Sequence, residues 1–103
     1  MYIGDLEGSA VKNGGRWTAT VIILVLDSAG NPVENAQVSG DWSDGASGTG
    51  SCTTDSSGTC EVSMPDIRNK VHSVTFTVSD VTHDPLTYNA SLNTESSVTV
   101  LKP

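Results

Sequence analysis

The sequence predicts an all-β sandwich of about seven to eight short strands, formed by one domain over residues 1–103. Three observations carry this. Ser and Thr together make 26 residues, beside twelve Val and ten Gly, a composition of short strands and turns rather than helices. No window shows a sustained apolar stripe of 3.6-residue period. Short runs alternating between apolar and polar residues recur between clusters of turn residues. With one Phe, two Tyr and two Trp, the core must come mostly from Val, Ile, Leu and Ala.

The strands are expected in the following order. Residues 2–11 supply a short edge strand. Residues 17–27, WTATVIILVLD, form the longest apolar run, too rich in β-branched side chains for a short helix. The turn DSAGNPV ends it. Residues 33–42 follow, with Val38 and Trp42 on one face and Gln37, Ser39 and Asp41 on the other. SDGASGTG, residues 43–50, reads as a flexible loop. Residues 52–54 and 59–62 then flank the turn DSSG, where Asp55 can bond its own backbone and Gly58 accepts positive φ. SMPDIRNK reads as a loop broken by Pro65. Residues 71–79 alternate, Val74, Phe76 and Val78 inward, and a turn over residues 80–85 follows. Residues 86–90 and 96–101 complete the set.

The only two cysteines, Cys52 and Cys60, flank the DSSG turn. Two thiolates supply half of a tetrahedral zinc site, and neither His72 nor His83 stands at finger-like spacing, so zinc would need ligands brought in by folding. A redox pair usually has Cys-x-x-Cys at a helix start. A structural disulfide is the reading that remains, across a hairpin with a five-residue loop, residues 54–58. Closing so short a loop stabilises by roughly 2–3 kcal/mol in the chain-entropy model. Such a bond places the protein in an oxidising compartment, extracellular or at a cell surface.

The turns carry a resemblance. VLDSAGNPVENAQVSG followed by SCTTDSSGTCEVS is similar to the bacterial immunoglobulin-like domains of the invasin/intimin type. In that family a strand ends in Asp-x-x-Gly-x-Pro-Val, here Asp27, Gly30, Pro32 and Val33, and a later hairpin carries Thr-Asp-x-x-Gly, here Thr54, Asp55 and Gly58. The closing HSVTFTVSDV also resembles the family's penultimate strand. The likeness covers roughly residues 17–81, and the cysteine pair departs from the family's commonest pattern. It implies an immunoglobulin-like β-sandwich and a non-catalytic spacer or adhesion module of a bacterial secreted or cell-surface protein. It brings no catalytic residue with it.

The charge is −7, and the five basic residues Lys12, Arg16, Arg68, Lys70 and Lys102 read as scattered. Neither nucleic acid nor an anionic membrane is therefore an expected partner. Met1 is followed at once by Tyr2-Ile3-Gly4-Asp5, with no signal peptide, which fits one module cut from a longer secreted protein with Met1 added for expression. The expected partners are then other domains of that protein.

Chemistry finds little support. His83-Asp84 has no Gly-x-Ser-x-Gly nucleophile beside it, and the chain is not expected to be an enzyme. His72 reads as a rim residue. Asp41 with Asp44, and Asp80 with Asp84, put paired acids on or beside loops without EF-hand spacing, so neither a metal nor a cofactor is expected.

One strand breaks the pattern. Trp17, Ala19, Val21, Ile23 and Val25 share one face, and Thr18, Thr20, Ile22, Leu24 and Leu26 the other. A β-bulge that flips the parity, or a covering loop, would hide Ile22 and Leu24 within the molecule. If the alternation is unbroken, Ile22 and Leu24 mark a protein-binding surface with Thr20 and Leu26 at its margin, which Met64 and Ile67 could join. The alternative function is then a binding module, natural or an engineered scaffold, that uses this face for a partner or a homodimer contact.

Overall fold

A computed structural model describes residues 1–45, 47–83 and 86–103. Its strands are β1 (Tyr2–Asn13), β2 (Arg16–Leu26), β3 (Gln37–Ser43), β4 (Gly48–Thr53), β5 (Thr59–Arg68), β6 (Ser73–Thr82) and β7 (Ser97–Leu101), with a 3-10 turn at Ala90–Leu92. They form two antiparallel sheets, β1-β2-β5 and β4-β3-β6-β7. The described residues thus form a seven-stranded immunoglobulin-like sandwich. It differs from the constant-type arrangement in that β4 joins the sheet of β3 rather than that of β5.

Strand β2 is the centre of the three-stranded sheet. Its inward side chains Trp17, Ala19, Val21, Ile23 and Val25 are all fully buried. Facing them from the other sheet are Val38, Trp42, Val74, Phe76, Val78 and Val100. Trp42 and Phe76 meet at 5.0 Å between ring centroids, tilted by 56°. The Phe76 ring occupies the space a side chain at Gly40 would need. The Trp17 indole Nε1 donates to the Val71 carbonyl at 3.2 Å, which ties β2 to the connection between β5 and β6.

Among the described residues, three bulges separate this fold from simple alternation. In β6, Val78 pairs with Gly40 and Asp80 with Ser39, so Ser79 is an extra residue whose hydroxyl donates to the Ser39 carbonyl. The extra residue turns Val81 inward, and β6 runs to Thr82 where a turn was expected from residue 80. In β5 the pairing steps from Trp17–Ile67 to Ala19–Met64, so Pro65 and Asp66 face one residue of β2. Asp66 has φ 56°. β5 is a sheet edge, where a residue without N–H removes no ladder bond. The expected loop at Pro65 is therefore part of a strand. The third bulge lies in β1 between Ile3 and Asp5.

Three further segments depart from the expected strands. β1 is an edge strand but a long one, and β4 takes in the Gly48–Gly50 end of the expected loop. Residues 86–90 form no strand; Leu86 makes one isolated bridge to His83, and the segment leads into the 3-10 turn. That connection covers part of the β1 edge. The Asn93 side chain accepts from the Ile3 N–H at 2.7 Å, and the Glu95 carboxylate accepts from the Leu6 N–H at 3.0 Å. These bonds occupy edge donors that would otherwise be open to another strand.

Cys52 and Cys60 form a disulfide with a Cα–Cα distance of 5.8 Å. It does not cross a hairpin ladder, as the sequence suggested. β4 and β5 lie in different sheets, and the five residues 54–58 arch from one sheet to the other. The bond clasps the sandwich along the edge where β4 and β5 approach.

The arch is held at both ends. Buried Thr54 accepts from the Ala36 N–H at 2.8 Å and donates to the Val33 carbonyl at 2.6 Å. Gly58, at φ 76°, lies so close to Pro32 and the Val25 carbonyl that a Cβ would stand 2.8 and 2.9 Å from them. Between them, the two Asp-x-x-Gly turns use one bonding pattern. Asp27 Oδ1 accepts from the Ala29 and Asn31 N–H groups, both at 2.9 Å. Asp55 Oδ1 accepts from Ser57 at 2.9 Å and Thr59 at 3.3 Å. In each, the glycine N–H donates to the aspartate carbonyl. The two turns stack at one end of the sandwich.

The main-chain N–H of Asn31 for Asp27, and that of Ser57 for Asp55, hold both carboxyls below the usual 3.8. Because the folded values are depressed, their stabilisation is complete above 3.8 and is lost as pH falls through the lowered folded values. An Asp27→Asn, Asp55→Asn double variant keeps the acceptor oxygens and loses the titration. Its melting temperature is expected to change less than that of the parent between about pH 4 and pH 2. An identical acid response in the two proteins would contradict the assignment.

Candidate functional site

The alternation of β2 is unbroken from Trp17 to Leu26, so the bulge that would have returned Ile22 and Leu24 to the core does not occur in this strand. The outward row is Thr18, Thr20, Ile22, Leu24 and Leu26. Ile22 is 42% exposed. Leu24 and Leu26 are half-buried, because they lie over Gly4 in the β1 bulge; a Cβ there would stand 2.6 Å from Leu26 Cδ1 and 3.5 Å from Leu24 Cδ2. Thr20 is half-buried, with its hydroxyl 3.3 Å from that of Ser63. The apolar face is thus narrower than the sequence suggested. It is centred on Ile22, with Leu24 and Leu26 partly covered by the molecule itself.

Met64 and Ile67 do not join this face. Both point inward, Ile67 buried and Met64 half-buried against the core, because the β5 bulge keeps them on the same side. The outward neighbours are acidic. Ile22 pairs with Glu7 of β1 and Glu61 of β5, and Leu24 with Asp5 and Thr59. A second copy laid face to face on Ile22 would oppose carboxylates to carboxylates, which disfavours a homodimer through this surface.

The cations, which read as scattered along the sequence, gather in space. Arg16 pairs directly with Arg68, and Lys12 lies one step along, opposite Trp17. The Asn69 N–H donates to the Gly15 carbonyl, and Lys102 Nζ donates to the Asn69 carbonyl at 3.1 Å. Arg16 Nη1 donates to the Asp66 carbonyl at 3.2 Å. All five Lys and Arg therefore lie at one end of the sandwich, beside Asp44 and Asp66. A cleft of about 350 Å³ opens at this end, lined by Met64, Pro65, Ile67 and Val71 with Arg68 and Lys70.

The other candidate groups do not converge. Among the described residues no three His, Cys, Asp or Glu side chains come together as a metal would require. Asp41 is on β3 and Asp44 just beyond it, with φ 64°. The Asp80–Asp84 pair rests on Asp84, which lies outside the described residues, as does the second half of His83-Asp84. His72 is exposed, with its carbonyl accepting from the Lys102 N–H. His83 is half-buried, and its Nδ1 has no hydrogen-bond partner among the described residues. No described helix is long and apolar enough to cross a membrane.

Comparisons with protein-family models, with curated proteins and with solved structures find no match for this chain.

The geometry sets different costs for the two central side chains. Ile22→Thr replaces the most exposed apolar side chain of this row, 42% exposed, and is expected to cost about 1 kcal/mol or less. Leu24→Thr uncovers Gly4 and removes half-buried packing, at roughly 1–2 kcal/mol. Urea titration of both variants checks this, and a larger loss at Ile22 than at Leu24 would contradict the exposed placement.

Proposed function

We propose that this chain is a non-catalytic immunoglobulin-like module of a bacterial secreted or cell-surface protein, acting as a spacer or adhesion unit. One observation carries the reading: the path of the chain through the sandwich. β1 starts beside Leu26, where the Asp27 and Asp55 turns stack, and β7 ends beside Ser73, near the turn that joins β1 to β2. The body measures 44 × 23 × 18 Å, and a twelve-residue strand spans about 40 Å at ~3.3 Å per residue, so the long axis follows the strands. A chain entering at β1 and leaving at β7 traverses that axis. Modules linked this way extend end to end.

Tension along this path acts parallel to the strands. It loads the β1–β2 ladder, paired from Tyr2 to Asn13, in shear, so its bonds resist together rather than opening one at a time. The disulfide between the sheets and the likeness of residues 17–81 to invasin-type modules support an exported protein. The second reading, a binding module, is favoured by the exposure of Ile22. The flanking Glu7 and Glu61 would suit a partner with cationic groups around an apolar one.

Single-molecule stretching through the two chain ends tests the spacer reading. One cooperative rupture is expected. Reduction of the disulfide should lengthen the unfolded chain by about 23 Å, since eight residue steps of at most ~3.6 Å are released from a 5.8 Å closure. Gradual extension at low force, without a cooperative event, would overturn the reading.

A further inference from the structure

We infer that successive copies of this module dock end to end, the cationic pole where β7 ends receiving the acidic pole where β1 begins. This rests on the spacer reading and adds what holds one module against the next. The charge is separated along the molecule rather than spread over it. The pole where β7 ends holds all five Lys and Arg with two carboxylates, Asp44 and Asp66, while Asp41 and Asp80 lie two ladder steps apart nearer the middle of the body. The opposite pole holds Asp27, Glu34 and Asp55 and no Lys or Arg, its one cation being the Met1 ammonium, which donates to the Thr87 carbonyl. Asp27 and Asp55 are fixed there in the two turns, and Glu34 is exposed beside them.

Screening makes the separation effective. At about 0.1 M salt the Debye length is ~10 Å, far below the 44 Å length of the body. An approaching pole therefore responds to the charges of the pole in front of it, and little to the net −7. The occupant that fits the cationic pole, whose cleft is lined by Arg68 and Lys70 against the single carboxylate Asp66, is the acidic pole of a second copy. Because the path of the chain joins unlike poles, linked copies present the complementary ends to each other. This contact is head to tail, so it propagates along a row instead of closing as a pair.

Small-angle X-ray scattering of the free chain reads this directly. At about 0.1 M salt the forward scattering per unit mass is expected to rise with concentration, and the longest dimension to approach twice 44 Å; at about 1 M salt both effects disappear. A molecule governed by its net charge shows the opposite trend, with forward scattering falling as copies repel. Two variants with the same change in net charge separate placement from total. Glu34→Lys, at the acidic pole, is expected to weaken association about tenfold. Glu61→Lys, at the middle of the body, leaves the poles intact and keeps it. Falling or concentration-independent scattering of the parent, or equal behaviour of the two variants, would overturn the proposal. The stretching experiment reads single molecules, so failure of docking leaves the spacer reading standing, and gradual low-force extension removes the spacer reading whatever the scattering shows.

Discussion

The alternation of β2 is the constraint on which the rest of the structure depends. Five consecutive inward positions, Trp17 to Val25, are fully buried, and each large apolar side chain among them contributes roughly 1.5–3 kcal/mol by its burial. Slipping the strand by one residue would expose all five and place Thr18 and Thr20 in the core. That penalty, of order 10 kcal/mol, is comparable with the entire net stability of a small domain. Register with β1 and β5 follows, and through it the position of each edge. Bonds from the ends of β2 fix the loops: Trp17 to Val71 at one end, and Val25 to Val33 and Gly58 at the other.

How much of this was legible depended on whether the information was local. The inward faces of β2 and β3 and the 74–78 stretch of β6 could be read because period-two alternation is written in neighbouring residues. The two Asp-x-x-Gly turns were legible because each carboxylate bonds N–H groups only two and four residues on. The bulges were not. Ser79 and the Pro65–Asp66 pair look like strand ends in sequence, and only the pairing with β3 and β2 shows that the strands continue through them. The disulfide was legible as a bond but not in its place, since nothing near residues 52–60 says that the two strands join different sheets. The covering of Leu24 and Leu26 depends on a bulge twenty residues upstream, at Gly4.

The cations show the same limit with a functional consequence. Residues 12, 16, 68, 70 and 102 are far apart along the chain, and strand pairing brings them to one pole. A net charge of −7 describes the composition but not the surface that a neighbour meets. The outer face around Ile22 and the two poles are separate features. The first is a narrow apolar strip flanked by carboxylates, and the second is a charge gradient along the axis of the chain path. A module whose ends differ in charge has a preferred direction of contact, which a uniformly acidic rod lacks.

Native-state thiol labelling at adjacent positions of β2 tests the central claim most directly. Ile22→Cys and Ile23→Cys place a new thiol on opposite faces of the same strand, with the Cys52–Cys60 bond left oxidised. Unbroken alternation predicts that the thiol at position 22 reacts at close to the rate of an exposed one. At position 23 reaction must wait for opening of the core and is expected to be slower by on the order of a thousandfold or more. Comparable rates at the two positions, or faster reaction at position 23, would contradict the account.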